Sequence, residues 1–445
     1  MGWARVPAAR GVTLAELEAD PHPVLARLRS AAPACWVPAL GAWLVTDYRL
    51  AVRVLRDWRT FTVDDPRFST ARVVGPSMLS LDGAQHARHR APFSGAFRPE
   101  AVHARLAAFT RAEAGRLVAA IRPRGEAELR RTVAGPLAAA VMAEALGLGR
   151  TDPAAILGAY DGIVAAVQAA ARAPGSAAGG TGGRTAADEA GTAAFADLAA
   201  SLRDVLAAPP AGSLLAEVAG NLAAAPGSVA GTACAQDEAL AGAPEGTGAG
   251  TLTEAEVISD AAVLLFGGIE TTEGMIANAV LHLLGHPDQL ALVIADRQLI
   301  PAAVEESLRL EPAAAVVDRF ATRDAGLGGA RIRAGDQVTV SLAGANRDPA
   351  IFPEPDRYHI RRPGAGRHVA FAHGPHFCLG AHLARLEARV AVETLLDLLP
   401  RLRLDPRHPA APRGLVFRKP PGLPVLWEPA PPPRAAGRRP RWHAG

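Results

Sequence analysis

Residues 371–380 read FAHGPHFCLG, and the run AHLARLEARVAVETLLDLL that follows has the length and apolar spacing of a helix. Phe371, Gly374, Cys378 and Gly380 form the pattern F-x-x-G-x-x-x-C-x-G at the mouth of that helix. Unpaired amide N–H groups and the positive dipole end of a helix N-terminus favour a thiolate over a thiol, which is what a metal-bound sulfur needs. The glycines allow the backbone to turn tightly and to approach a flat ligand. A cysteine taken alone suits a buried core position equally well, so the surrounding pattern carries the metal-ligand reading.

The rest of the chain limits the alternatives. Its three cysteines, Cys35, Cys234 and Cys378, have no C-x-x-C spacing, which argues against a disulfide framework or a zinc cluster. The composition is 49% hydrophobic and 20% charged, as in a soluble globular protein, and with 5% aromatic residues the core must be mainly aliphatic. The net charge is +3 over 445 residues, and Arg434, Arg438, Arg439 and Arg441 all lie in the acid-free Pro/Arg tail. Without them the body is close to neutral, which excludes the charge footprint of a nucleic-acid-binding domain. Lys419 is the sole lysine; with the wealth of Ala, Gly and Pro this reads as the codon bias of a GC-rich genome. No apolar run has the length of a membrane span or the position of a signal peptide, so a cytoplasmic protein is expected.

The helical periodicity begins in residues 13–32, gives way to β-type sequence in 36–46 and then dominates. Residues 171–191 and 225–250, rich in Gly, Ala, Ser, Thr and Pro, read as mobile loops on either side of a helical piece around 195–206. Thr253 with Glu256 forms a capping box that opens a long helix through AAVLLFGGIETTEGMIANAVLHLL. Short β-type segments follow at 330–342 and 414–426. The expected class is mainly α with small β-sheets. A single domain over 1–428 and a disordered tail at 429–445 complete the organisation.

Three further patterns bear on chemistry. Gly267 and Gly268 sit inside the long helix, where each costs about 1 kcal/mol relative to Ala; a close ligand or a backbone bulge accounts for that cost. Glu270 and Thr271 then supply an acid and a hydroxyl, although a polar helix patch would look the same. Glu306 and Arg309 share a helix face at i, i+3, a pairing common on protein surfaces. His86 and Arg90, at i, i+4, suit two donors that grip a carboxylate, or else a solvated cationic face.

Together, FAHGPHFCLGAHLAR, LLFGGIETTEG, ESLR and QHARHR, in this chain order, resemble the cytochrome P-450 superfamily, in its soluble bacterial form. The resemblance covers roughly residues 13–428. It implies the P-450 fold, a triangular helical domain that encloses haem b between the central long helix and the cysteine-loop helix. It implies Cys378 as the axial thiolate, and a thiolate pushes electron density that favours O–O cleavage. His86, Arg90, Arg319 and His376 would hold the haem propionates. Phe371, Gly374, Gly380, Gly267 and Gly268 would surround the macrocycle. Glu270 and Thr271 would deliver protons during dioxygen activation. Glu306 and Arg309 would serve the fold, bonded to a later arginine for which Arg357 is the candidate.

Position relative to these motifs places Val74, Met78, Leu79, Phe266, Ile269, Val316, Val317, Val416 and Phe417 around the substrate. Most are aliphatic, so a lipophilic small molecule is expected, entering under a lid made by the Gly/Ala-rich segments. A natural-product intermediate fits the genome bias. The resemblance implies a monooxygenase that hydroxylates or epoxidises with O2, supplied with electrons by a ferredoxin and an NAD(P)H-dependent ferredoxin reductase. A monomer is expected, with no nucleic-acid or membrane partner. Cys378, His382, Arg385 and Arg389 fall on one helix face, which reads as a docking stripe for an acidic ferredoxin or as an ordinary polar face. A peroxide-driven enzyme of this fold and a non-catalytic binding relative are the alternatives; the intact Glu270–Thr271 pair and Cys378 argue against them.

Overall fold

The computed structural model describes residues 7–149, 156, 158, 160–166, 186–223 and 251–428. The lid segment 225–250, most of 171–191 and the tail 429–445 lie outside the described residues. The part of the first segment that is described, from Ala186, belongs to the helix Ala186–Ala207 and is not loop. Its AADEA stretch consists largely of good helix formers.

The central helix, Glu254–Gly285, is 32 residues long and so spans about 48 Å. Its expected capping box is present: the Glu256 amide donates to Thr253 Oγ1, and the Thr253 amide donates to Glu256 Oε2. The helix is buried nearly all round from Val257 to Leu284, because other helices cover most of its faces. Gly135–Leu146, Ile300–Leu310 and the cysteine helix Ala381–Leu398 pack against it, and Pro99–Ile121 packs on the far side of the cysteine helix. Aliphatic residues from all of these make one core.

The β structure forms three small sheets; one of them, Glu126–Glu128, Pro424–Leu426, Arg403–Leu404, packs on the helical core. The main sheet runs Ala34–Val37, Ala42–Val45, Gln337–Ser341, Val316–Ala321, Phe61–Thr62. Residues 36–46 therefore form a hairpin, which pairs in parallel with the strand Gln337–Ser341. The segment 330–342 splits as expected at Arg333–Asp336. Its first half pairs locally with Ala325–Leu327, and its second joins the main sheet.

Two expected elements take different bounds. Residues 13–32 form two helices, Leu14–Ala19 and His22–Ala31, broken at Asp20 because the residue before Pro21 is pushed out of helical geometry. Within 414–426 only Pro424–Leu426 is a strand. The earlier part is a turn held by the bridges Ala314–Phe417 and Arg413–Lys419.

Candidate active site around Cys378

The cysteine loop closes on itself through its backbone. The Cys378 amide donates to Phe371 O at 2.9 Å, and the Phe377 amide donates to Gly374 O at 2.9 Å. Gly374 has φ +73°, and a Cβ there would stand 2.6 Å from Leu55 O, so the position admits only glycine. Gly380 is different: φ is −81° and a Cβ would meet nothing within 4 Å. The helix begins at Ala381, three residues beyond the sulfur, as the sequence pattern requires.

Cys378 is exposed while Cys35 is buried. Desolvation by the loop around it raises the pKa of the Cys378 thiol, while the Gly380 amide, Arg90 and Arg385 pull it down. Binding to a metal would tip this balance, because a coordinated thiol is deprotonated.

The four expected propionate residues do converge on this loop. Arg90 Nη2 donates to Phe377 O at 2.7 Å. The His86 and His376 rings lie 4.3 Å apart, and His376 Nε2 is 2.8 Å from Asp82 Oδ1. Arg319 is 4% exposed and donates to Asp318 O; burial lowers its pKa to about 10. Asp82 also accepts from Thr62 Oγ1 and the Val63 amide, and these bonds with His376 hold its carboxyl below the usual range in spite of burial. The cluster thus sets four cationic or basic side chains around one carboxylate. His86 Nε2 is buried without a hydrogen-bond partner. Burial lowers the pKa of His86 to about 3 and lowers that of His376, so both imidazoles are neutral and the positive charge is that of Arg90 and Arg319. Two guanidiniums and an unpartnered imidazole nitrogen fit an anionic group such as the two carboxylates of haem.

The two helix glycines separate. A Cβ on Gly267 would meet open space, whereas one on Gly268 would stand 2.5 Å from Met142 Sδ. Gly268 therefore serves helix packing rather than a cofactor, a distinction set by a neighbour more than a hundred residues earlier in the chain. Thr271 Oγ1 donates to Gly267 O at 2.6 Å, one turn back. Glu270 is 2% exposed and turns to a different face. Its Oε2 accepts from the Tyr160 hydroxyl and lies 2.8 Å from Lys419 Nζ, and its Oε1 has no partner. Lys419 Nζ also contacts Glu273, which pairs with Arg130 at 2.8 Å. Burial and Glu270 push the Tyr160 hydroxyl far up, so it acts as a donor. The sequence carries no local signal that brings Tyr160 to the site; for Lys419 the signal is that it is the sole lysine.

Glu306 and Arg309 are fully buried and bidentate, at 2.8 and 2.9 Å. The later arginine is Arg362, not Arg357: Arg362 Nε donates to Glu306 Oε1 at 2.9 Å. Arg357 contributes its carbonyl oxygen, which accepts from Arg309 and Arg362, while its side chain points outward to Glu354.

Among the expected substrate residues, Val74, Met78 and Phe266 share one apolar cluster, with Leu79 and Phe417 packed on it, and Phe266 meets Phe417 edge to face at 5.8 Å. The Val416 carbonyl accepts from the Ala315 amide and fixes this turn beside the segment that leads to Val316. Ile269, 0% exposed, belongs to the same cluster as Val74, Met78 and Phe266. Val317 packs with the sheet cluster instead, since successive strand residues face opposite sides.

The expected docking stripe is largely neutralised. Arg385 Nε and Nη2 lie 2.5 and 3.1 Å from Glu305, and its guanidinium sits 4.4 Å from the Phe371 ring centre. Arg389 is 3.7 Å from Glu393. Beside them is a cleft of about 250 Å³, lined by Pro99, Val102, Pro301, Val304, His382 and Arg389 among others.

A helical fold around one loop-borne cysteine, with a shell of two arginines and two histidines beside it, defines the class of haem–thiolate oxygenases. The model of the cytochrome P450 family matches residues 235–413. Cytochrome P450 monooxygenase PikC of Streptomyces venezuelae is 36% identical over 95% of this chain and 94% of its own length. Vitamin D(3) 25-hydroxylase of Pseudonocardia autotrophica is 32% identical over 86% and 88%. P450BioI, solved in complex with an acyl carrier protein ligated to hexadec-9Z-enoic acid, superposes with a TM-score of 0.77 at 28% identity, covering 93% of this chain and 100% of that one. The chain belongs to the cytochrome P450 family, with haem held by a cysteine thiolate as cofactor and monooxygenase activity.

Proposed function

We propose that Cys378 is the thiolate ligand and that this chain oxygenates a lipophilic small molecule with electrons from a ferredoxin and its NAD(P)H-dependent reductase. The observation that carries the ligand assignment is the shell of His86, Arg90, Arg319 and His376 beside that one thiol, with His86 Nε2 lacking a partner. Bound there, haem supplies dioxygen activation and transfer of one oxygen atom to substrate.

The protein's own part is binding, orientation and proton supply. Arg90 and Arg319 neutralise the propionates, and His86 and His376 offer them neutral hydrogen-bond donors. Gly267 leaves room on the distal helix, and Phe266, Phe417, Val74, Met78, Leu79, Val316 and Val416 hold an apolar substrate and exclude water. Glu270, anchored by Tyr160 and Lys419, keeps Oε1 free to carry a proton. Thr271 Oγ1 passes that proton on when it exchanges its bond to Gly267 O. Electron entry belongs to the thiolate side, at the cleft beside Arg389, where a ferredoxin docks by shape more than through a free cationic stripe. The unit works as a cytoplasmic monomer over residues 1–428. The aliphatic wall asks for a lipophilic molecule, and a natural-product intermediate is the class that fits the genome bias.

The first experiment is a carbon monoxide difference spectrum of the reduced protein beside Cys378→Ala. A long-wavelength Soret band, absent in the variant, is expected; a band typical of histidine ligation overturns the assignment. Turnover with ferredoxin, reductase and NAD(P)H, against turnover with peroxide alone, tests the electron source.

A further inference from the structure

The segment 74–90 carries three of the apolar residues assigned to the substrate wall, and the central helix grips it with consecutive side chains. Ser259 Oγ donates to Val74 O at 2.8 Å. Asp260 Oδ1 accepts from the Met78 amide at 2.6 Å, and Asp260 Oδ2 lies 2.8 Å from His89 Nδ1. One turn earlier Glu256 takes Arg88, and its Oε1 lies 3.4 Å from His89 Nε2. Asp260 is 0% exposed and His89 is 1% exposed. A carboxylate so enclosed is costly unless fully bonded. Each of its oxygens serves a donor from the wall segment, one on the main chain of the loop and one on the following helix. Burial raises its pKa, and His89 and the Met78 amide oppose that rise.

None of these atoms is bonded to Cys378 or Glu270, so proton supply does not explain them. His89 shares the helix Gly83–Ser94 with His86 and Arg90, so its tie to Asp260 fixes that helix, while the Met78 amide bond fixes the loop before it. We propose that Asp260, held by His89, is a positioning residue that sets how far the Val74–Met78–Leu79 wall reaches into the substrate cavity, and thereby the size of substrate admitted. The proposal rests on the reading of that wall as substrate-lining. An amide at position 260 has one acceptor oxygen for two donors. The Met78 amide or the His89 ring then loses the carboxylate oxygen it faces, and the charge-assisted hold on the wall is weakened.

The test uses the full-length haem-loaded protein and two iron-binding probes, imidazole and the bulkier phenylimidazole, titrated by their optical shift. Imidazole reads the iron alone, and phenylimidazole also reads the wall. Asp260→Asn is expected to change the phenylimidazole Kd by about tenfold and that of imidazole by less than about twofold, with the carbon monoxide band intact. His89→Leu should do the same. His89→Asn, which puts an amide donor where Nδ1 was, should restore the ratio of the two Kd values.

Met78→Trp separates the two premises. No effect of Met78→Trp on phenylimidazole overturns the wall reading itself. An effect of Met78→Trp together with an unchanged ratio in Asp260→Asn and His89→Leu overturns the role of Asp260. An equal shift of both probes means general loosening and also overturns it. Should Asp260→Asn fail to retain haem, the ratio in His89→Leu decides.

Discussion

Arg362 Nε lies 2.9 Å from Glu306 Oε1 and completes the buried pair that Glu306 makes with Arg309. The Arg362 side chain is 6% exposed, against 60% for Arg357. Removal of one partner from a buried ion network strands its charges, so Arg362→Ala should cost about 3–5 kcal/mol. Arg357→Ala leaves its carbonyl in place and should stay within about 0.5 kcal/mol of wild type. Urea unfolding midpoints check both; equal losses would return Arg357 to the network.

Gly374 and Gly380 should behave oppositely. Gly374→Ala forces a side chain into left-handed backbone, at about 1–2 kcal/mol, and drives its Cβ towards Leu55 O. The expected outcome is protein purified with a depleted haem band relative to its absorbance at shorter wavelength. Gly380→Ala should load haem normally.

His282 is buried with Nδ1 2.8 Å from Ser307 Oγ, and burial lowers its pKa to about 3. An unfolded histidine titrates near 6.5, so the unfolded state binds the proton first as pH falls. The stabilisation is therefore complete above about pH 6.5 and is lost progressively down to about pH 3. From pH 7 to pH 5 the loss is about 2 kcal/mol for this residue. His282→Asn, which keeps a donor near Nδ1, should show a pH dependence that is shallower by that amount in urea midpoints at the two pH values.

Lys419 separates two buried carboxylates, Glu270 and Glu273. Lys419→Met leaves Glu270 with Tyr160 as its remaining named partner and should destabilise by about 3–5 kcal/mol, with Lys419→Arg much milder. Glu270→Gln tests the proton role separately: turnover should fall by about 100-fold while the carbon monoxide band is unchanged. Unchanged turnover would remove Glu270 from proton supply.

What was legible in the sequence was whatever depends on neighbours along the chain. The Thr253–Glu256 cap, the turn at Arg333–Asp336, the cysteine loop and the closeness of Glu306 to Arg309 all involve residues within a few positions of each other. Choices set by distant partners were not legible. Arg357 and Arg362 sit in the same loop, and only the path of that loop decides which guanidinium turns inward. Gly267 and Gly268 differ only in that Met142 stands against the second. Val317 is apolar, as a wall residue would be, and only packing shows that it belongs with the sheet. The break before Pro21 was in the sequence and is explained by local sterics alone.

The partnering of Lys419 has a practical consequence for chemical labelling. It is the one side-chain amine of the chain, and its side chain is 12% exposed, with its ammonium held between carboxylates. Amine-directed cross-linkers and dyes therefore have no accessible lysine on the folded surface through which to capture an electron donor. The same reagents become a reporter of opening at one address, because acylation of Lys419 requires the C-terminal turn to lift from the central helix.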